Sequence, residues 1–458
     1  MTVMKYKAYN IRNINEIAHI SKLPDSRKFD IGVVAKVLPF KTNNYVVEEL
    51  INWDHYEDDP IFILNFPKRD MLMPEHFDQV AKLIRSDADK TSIAKTVNDI
   101  RMELNPHPAG QREFNVPIMD GEKLDGLQHK YRETVLCFPS QGQTCHAYCT
   151  FCFRWPQFTG MNELKFAMKQ AELLVEYIRR NPSVTDVLFT GGDPMVMNYK
   201  ILGNYIHALL NAKLTNLRNI RIGTKSLAFW PYRYLTDNDS EDILNLFRKV
   251  TDAGKHLAFM AHFSHPAELK TTAVQEAIGK VLETGAKIRT QSPILNQINA
   301  DPFIWSEMWK KQVSLGMIPY YMFVPRDTGA RHFFGLPLYR IFEIYRNAYR
   351  QVSGICRTVR GPSMSASPGK IQIIGTAKVY GEKVFVLRFL QGRNPEWVGR
   401  PFFATYNEKA QWLTDLKPAF GKEEFFYSEE FRNILKIKED TIKMYMKELN
   451  SRFNYSSK

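Results

Sequence analysis

TVLCFPSQGQTCHAYCTFC, residues 134–152, sets a short apolar run against a polar loop that holds three cysteines. The run 134–138 reads as a buried strand, being short, apolar and bounded by a Pro-Ser-Gln-Gly turn. The same grammar repeats downstream. Apolar runs at 186–189, 219–222, 257–263, 287–290 and 318–324 alternate with amphipathic stretches. Ala167, Ala171, Leu174 and Ile178 share one helical face, as do Val274, Ala277, Ile278, Val281 and Leu282. Six strands separated by helices predict βα units on a parallel sheet, an α/β fold. Six units suit an open, partial (β/α)6 TIM-like barrel better than the closed eight-stranded one.

Each run ends in a polar loop. After the cysteine loop come Thr190-Gly191-Gly192-Asp193-Pro194, then Gly223-Thr224-Lys225-Ser226. His262 and His265 end the fourth run, Gln291 and Ser292 the fifth, and Arg326 and Asp327 the sixth. In a parallel barrel these loops open on one face, where active sites lie. Residues 129–340 are therefore expected to form the barrel core. Residues 1–128 read as a mostly helical N-terminal extension. Residues 341–458 read as an α+β C-terminal region: a small-residue loop GPSMSASPGK at 361–370, strand-like alternation over 378–389 about Gly381, and a charged terminal helix.

At 458 residues with 44% hydrophobic composition, the chain can bury a large core. No run of apolar residues is long enough to span a bilayer, and the first twenty residues do not read as a secretory signal, so a cytoplasmic protein without membrane partners is expected. The net charge is +13, from 62 Lys and Arg spread along the chain without a block. That pattern reads as a solvated basic surface, or as a docking face for an acidic electron donor, and not as a nucleic-acid site.

Five cysteines, three of them within eight residues, do not make a disulfide framework. Cys145-x3-Cys149-x2-Cys152 supplies three soft thiolate ligands, suited to an iron–sulfur cluster or to zinc. Structural zinc needs four ligands. Three thiolates on four irons leave one iron open to a substrate or cofactor. Cys137 and Cys356 read as small buried hydrophobes.

CHAYCTFC resembles the radical S-adenosylmethionine (SAM) signature, with Phe151 just before the last cysteine. The resemblance implies a [4Fe–4S] cluster whose open iron binds SAM, and reductive cleavage of SAM to a 5′-deoxyadenosyl radical. Gly191, Gly192 and Asp193 are similar to the superfamily's second element, in which paired glycines allow close backbone approach and the acid accepts from the SAM amino group. From about residue 129 to 406 the chain further resembles the lysine 2,3-aminomutase family. His129-Lys130-Tyr131, the segment 187–193, Ile220-Arg221-Ile222-Gly223, the segment 262–266, Gln291-Ser292 and Pro319-Tyr320-Tyr321 fall in matching order.

That family moves an amino group between neighbouring carbons of an amino acid and uses pyridoxal phosphate (PLP) besides SAM. The resemblance implies that Lys370 holds PLP covalently, that Arg154 grips the substrate carboxylate with its guanidinium fork, and that His262 and Gln291 contact SAM. It also implies a low-potential electron donor, flavodoxin or ferredoxin, and leaves room for a homo-oligomer. Some features depart from the family. Serines replace most of the glycine-rich run before Lys370, and Thr134 stands where the family has a basic residue. The two late-loop aspartates that hold a lysine side chain are replaced by Val324-Pro325-Arg326-Asp327 and Val359-Arg360-Gly361-Pro362, with Asp327 a displaced survivor of one. A pocket with Arg326 and Arg360 disfavours lysine and suits a neutral or acidic amino acid. Zinc is not expected, because the family's C-terminal cysteines are absent. Two further readings stay open: a radical SAM enzyme without PLP acting on another small molecule or a protein side chain, and a non-catalytic iron–sulfur electron-transfer or sensing module.

Overall fold

The structure, a computed structural model, describes residues 4–105, 114–159 and 167–455, with side chains to residue 444. Its centre is one eleven-stranded sheet. In chain order the strands are β1 (Leu127–Tyr131), β2 (Thr134–Cys137), β3 (Asp186–Phe189), β4 (Asn219–Thr224), β5 (His256–His262), β6 (Lys287–Pro293), β7 (Ile318–Phe323), β8 (Arg360–Ser365), β9 (Gly369–Val379), β10 (Glu382–Gly392) and β11 (Pro401–Thr405). Strands lie in that order, each beside its sequence neighbour. From β2 to β8 every pairing is parallel. β1 at one end and β9–β11 at the other pair antiparallel. Among the described residues no pairing joins the two ends of the sheet.

Helices α1 (Ala171–Arg180), α2 (Tyr199–Asn211), α3 (Ser240–Asp252), α4 (Thr272–Glu283), α5 (Pro302–Ser314) and α6 (Leu338–Arg350) connect the parallel strands. Side-chain caps fix several of their starts. Asn198 accepts from the Ile201 N–H, Thr271 from Val274, and Asp301 from Phe303 ahead of a Pro at the first turn. One face of each helix is buried, as with Leu174, Val175 and Ile178 on α1, and each fully buried aliphatic side chain contributes about 1.5–3 kcal/mol.

Two expectations are corrected here. Among the described residues the parallel strands number seven, because β8 adds a unit beyond residue 340. The segment 361–370 is not a loop: most of it is β8 and the start of β9, joined by a short turn at 366–368. Its small residues lie buried between the parallel β7 and the antiparallel β9, where there is little room for large side chains. The chain after 369 forms a long hairpin turning at Tyr380-Gly381, and the C-terminal helix α7 spans Ser428–Tyr455. Among the described residues no helix is long and apolar enough to cross a membrane.

Candidate active site

Parallel strands deliver their following loops to one edge of the sheet, and there lies a cavity of about 330 Å³. Cys145, Cys149, Cys152, Arg154, Gly191, Gly192, Asp193, His262, Gln291 and Lys370 all line it. They come from five separate loops or strand ends and span more than 220 positions of sequence.

The cysteine loop and the Gly-Gly-Asp loop are joined backbone to backbone. Gly192 N–H donates to Gly142 O (3.0 Å), and Asp193 N–H donates to Thr144 O (2.7 Å). A Cβ at Gly192 would lie 2.4 Å from Thr144 O, and one at Gly191, whose φ is +146°, would lie 2.4 Å from Gln143 Nε2. The glycines thus permit close approach to the cysteine loop itself. The Asp193 carboxylate accepts from Met195 N–H, Lys225 N–H and Thr224 Oγ1 at 2.7–2.9 Å. Burial pushes it up to about 6 in spite of those bonds. Its observed work is to tie the loop after β3 to the loop after β4.

Among the described residues no three His, Cys, Asp or Glu side chains come together as a single ion requires. A cubane cluster, which takes each thiolate on a different iron, does not need such convergence, so this donor set fits [4Fe–4S]. Burial, chiefly, holds all three thiols above their ordinary range, and each has a cation as neighbour: Lys41 near Cys145, Lys225 near Cys149, Arg154 near Cys152.

Arg154 is partly buried, with its guanidinium 4.4 Å from the Phe138 ring and 5.1 Å from the Phe153 ring. Among the described residues no carboxylate lies within ion-pair distance of it. Burial pushes it down to about 10. Arg326 lies on the same Phe153 ring at 4.7 Å. His262 packs against Phe151 (5.5 Å between rings), and burial holds it well below the usual imidazole range. His265 is an N-cap, its Nδ1 accepting from Ala267 N–H.

Lys370 is the second residue of β9, paired with Ser365 and Gln391. Its Nζ lies 4.0 Å from the Tyr321 ring centroid, and burial pushes it down to about 7. The turn before it is gripped by two cations: Lys130 donates to Ala366 O, and Arg393 Nε donates to Ser367 O (3.0 Å). Arg393 Nη1 is buried with no hydrogen-bond partner. Two half-buried cations, one with a buried, unpartnered guanidinium N–H, at the turn before Lys370 make a place for an anion.

Arg360 and Asp327 are corrected. Arg360 begins β8 opposite Tyr321, level with Gln291 and His262, but does not line the cavity; its guanidinium lies over Tyr320 and 5.8 Å from the Tyr321 ring on which Lys370 Nζ also rests. Asp327 lines a small separate cleft with Arg331 and Trp412. Thr134 is buried at the start of β2 and donates to Asp186, which also holds Arg221.

Sequence reasoning missed the residues that hold the cysteine loop from the N-terminal extension. Lys41 Nζ donates to Cys145 O (2.7 Å), while Tyr6 Oη (2.8 Å) and Asn43 Nδ2 (3.2 Å) donate to His146 O. Thr150 N–H donates to Leu64 O. It also missed Lys225, which lines the cavity and pairs with the fully buried Glu268 at 2.5 Å. A GTKS turn names no partner, and the pairs lie 43 to 140 residues apart.

No protein-family model matches the chain. A putative L-lysine 2,3-aminomutase of Aquifex aeolicus is 30% identical over 407 residues, covering 88% of this chain and 95% of that one. A glutamate 2,3-aminomutase of Clostridioides difficile is 28% identical, covering 46% of this chain and 50% of that one. Other curated relatives are matched over 46–66% of their own length. A crystal structure of a radical SAM methyltransferase from Sphaerobacter thermophilus shares 16% identity over 52% of this chain and 68% of that one, with a TM-score of 0.34. The aminomutase relatives, together with a three-cysteine loop at the mouth of a parallel sheet, make this a radical SAM enzyme. The chain belongs to the lysine 2,3-aminomutase family, whose members are isomerases.

Proposed function

We propose that this enzyme performs PLP-dependent 2,3-amino migration on an amino acid whose side chain carries no positive charge. The observation that carries the proposal is the charge of the cavity wall. Arg154, Arg326 and Lys370 line it, and among the described lining residues the one carboxylate is Asp193, already hydrogen-bonded to the neighbouring loop. A substrate ammonium beyond the migrating amine would find no counter-ion there. A neutral side chain needs none, and an acidic one would meet the lining cations.

When bound, the cluster and SAM supply a 5′-deoxyadenosyl radical, and PLP supplies a conjugated π system to carry the nitrogen. Cys145, Cys149 and Cys152 hold the cluster. Gly191, Gly192, Gln291 and His262 form the wall on the SAM side, Phe151 backing the His262 ring. Arg154 binds the substrate carboxylate with its fork. Lys370 Nζ, near 7 and so half neutral at neutral pH, is the amine that would hold PLP through its aldehyde, with no separate base needed to take its proton. Arg393 and Lys130, at the turn before Lys370, would hold the PLP phosphate. Five loops or strand ends line the cavity, and bound SAM, PLP and substrate together would displace water that could quench a radical.

We place the catalytic core on residues 129–340, closing as a partial barrel, with 1–128 covering the cysteine loop and 341–458 bringing Lys370. The electron comes from a low-potential donor of the flavodoxin or ferredoxin kind. The test is borohydride trapping of the anaerobic, PLP-loaded protein, followed by peptide masses and a panel of glutamate, alanine and lysine. A pyridoxyl adduct on the Lys370 peptide, with turnover of a non-cationic amino acid, supports the reading. No adduct at Lys370 together with SAM cleavage removes PLP, and leaves a radical SAM enzyme of other chemistry. Turnover of lysine alone removes the substrate class.

A further inference from the structure

Three cations neighbour the three cluster thiols, and they are not equivalent. Lys225 is neutralised by Glu268 at 2.5 Å. Arg154 turns its guanidinium to the Phe138 and Phe153 rings in the cavity, where a substrate carboxylate would cancel it. Lys41 is different. It comes from the short strand Lys41–Asn43 of the N-terminal extension, and among the described residues no carboxylate lies within ion-pair distance of it. Its Nζ donates to Cys145 O at 2.7 Å and lies over the faces of Tyr6 (6.0 Å) and Tyr148 (5.8 Å). The backbone returns the contact, with Tyr148 N–H donating to Lys41 O at 2.8 Å.

We propose that Lys41 is a positioning residue for the cluster: it holds the Cys145 carbonyl and sets an uncompensated positive charge beside that thiolate, raising the potential at which the cluster accepts an electron. One electron, from a reduced low-potential donor, enters a group already made negative by three thiolates. A cation alongside favours the more negative, reduced form, and net charge and hydrogen bonding are the protein's main controls on such potentials. The Tyr6 and Tyr148 rings flank the half-buried ammonium, and partial burial strengthens its field relative to a fully solvated charge. The inference rests on the radical SAM chemistry and is independent of PLP and of the amino acid that migrates.

The experiment compares the full-length wild type, Lys41→Met and Lys41→Arg, reconstituted anaerobically without SAM. Iron and sulfide per chain and an EPR-monitored redox titration are the readouts. At a fixed poise Lys41→Met should hold about tenfold less reduced cluster, a midpoint lower by about 59 mV for a one-electron couple, while Lys41→Arg stays at the wild-type value. Should Lys41→Met load no iron while Lys41→Arg loads fully, the holding role stands. An unchanged potential in Lys41→Met overturns the proposal. So does an equal loss of potential or of iron in both variants, because Lys41→Arg keeps the charge.

Discussion

Gly192→Ala tests whether the cluster loop is built by the close approach of two backbones. The added Cβ would lie 2.4 Å from Thr144 O and 2.6 Å from Thr144 C and N, where real Cβ atoms essentially never come within 3.0 Å. All three clashing atoms are backbone, so no side chain can rotate away. The loops must part by roughly half an ångström or more, an overpacking cost of about 1–3 kcal/mol. The parting strains the bonds from Gly192 N–H to Gly142 O and from Asp193 N–H to Thr144 O, each contributing about 1 kcal/mol. The displaced residue Thr144 precedes Cys145, so the damage falls on the ligand set and spares the core. Gly279→Ala is the control. It lies within α4, an added Cβ meets nothing within 4 Å, and alanine there should stabilise by about 0.5–1 kcal/mol. The assay is iron and sulfide per chain after anaerobic reconstitution, with denaturant unfolding of both variants. Gly192→Ala should lose most of its iron while its helix content persists. Full iron loading in Gly192→Ala would refute the reasoning.

Trapping of PLP on Lys370 should rise with pH through about 7 and level off above 8, since burial disfavours the ammonium and the neutral amine is the nucleophile; yields still climbing at pH 10 would contradict this. The same shift has a stability consequence: the unfolded chain keeps this proton up to about 10.5, so stability should rise with pH between about 7 and 10.5, and Lys370→Met should flatten that slope in urea melts. Glu268→Ala leaves the Lys225 ammonium buried without its partner and should destabilise by about 3–5 kcal/mol; Lys225→Met with Glu268→Leu should recover much of it. Arg154→Lys keeps the charge but loses the fork, so the amino-acid KM should rise at least tenfold while SAM cleavage without substrate is unchanged.

The local grammar of the sequence carried far. Short apolar runs followed by polar loops marked the first six parallel strands, because strand burial and loop exposure are written in adjacent residues. The same feature explains why Cys145, Gly191, His262, Gln291 and Lys370 share one cavity. β8 was hidden because Gly361, Pro362, Ser363 and Ser365 show no apolar alternation: strand neighbours on both sides impose the extended form. Arg360 was read into the pocket for the same reason, although it pairs with Tyr321 just outside the cavity lining. The hold of Tyr6, Lys41 and Asn43 on the cysteine loop could not be read at all, since partners more than 100 residues apart leave no period. The glycine pair was legible as a demand for close approach, but what it approaches is the cysteine loop at Gln143 and Thr144.

The most direct measurement uses glutamate, then other non-cationic amino acids, deuterated at C3, with the anaerobic enzyme loaded with iron, sulfide, PLP and SAM and reduced. Mass spectrometry follows both nucleoside and amino acid. The account predicts deuterium in 5′-deoxyadenosine and a 3-amino acid formed from one of them. Deoxyadenosine that never carries substrate deuterium, with every amino acid recovered unshifted, would contradict it.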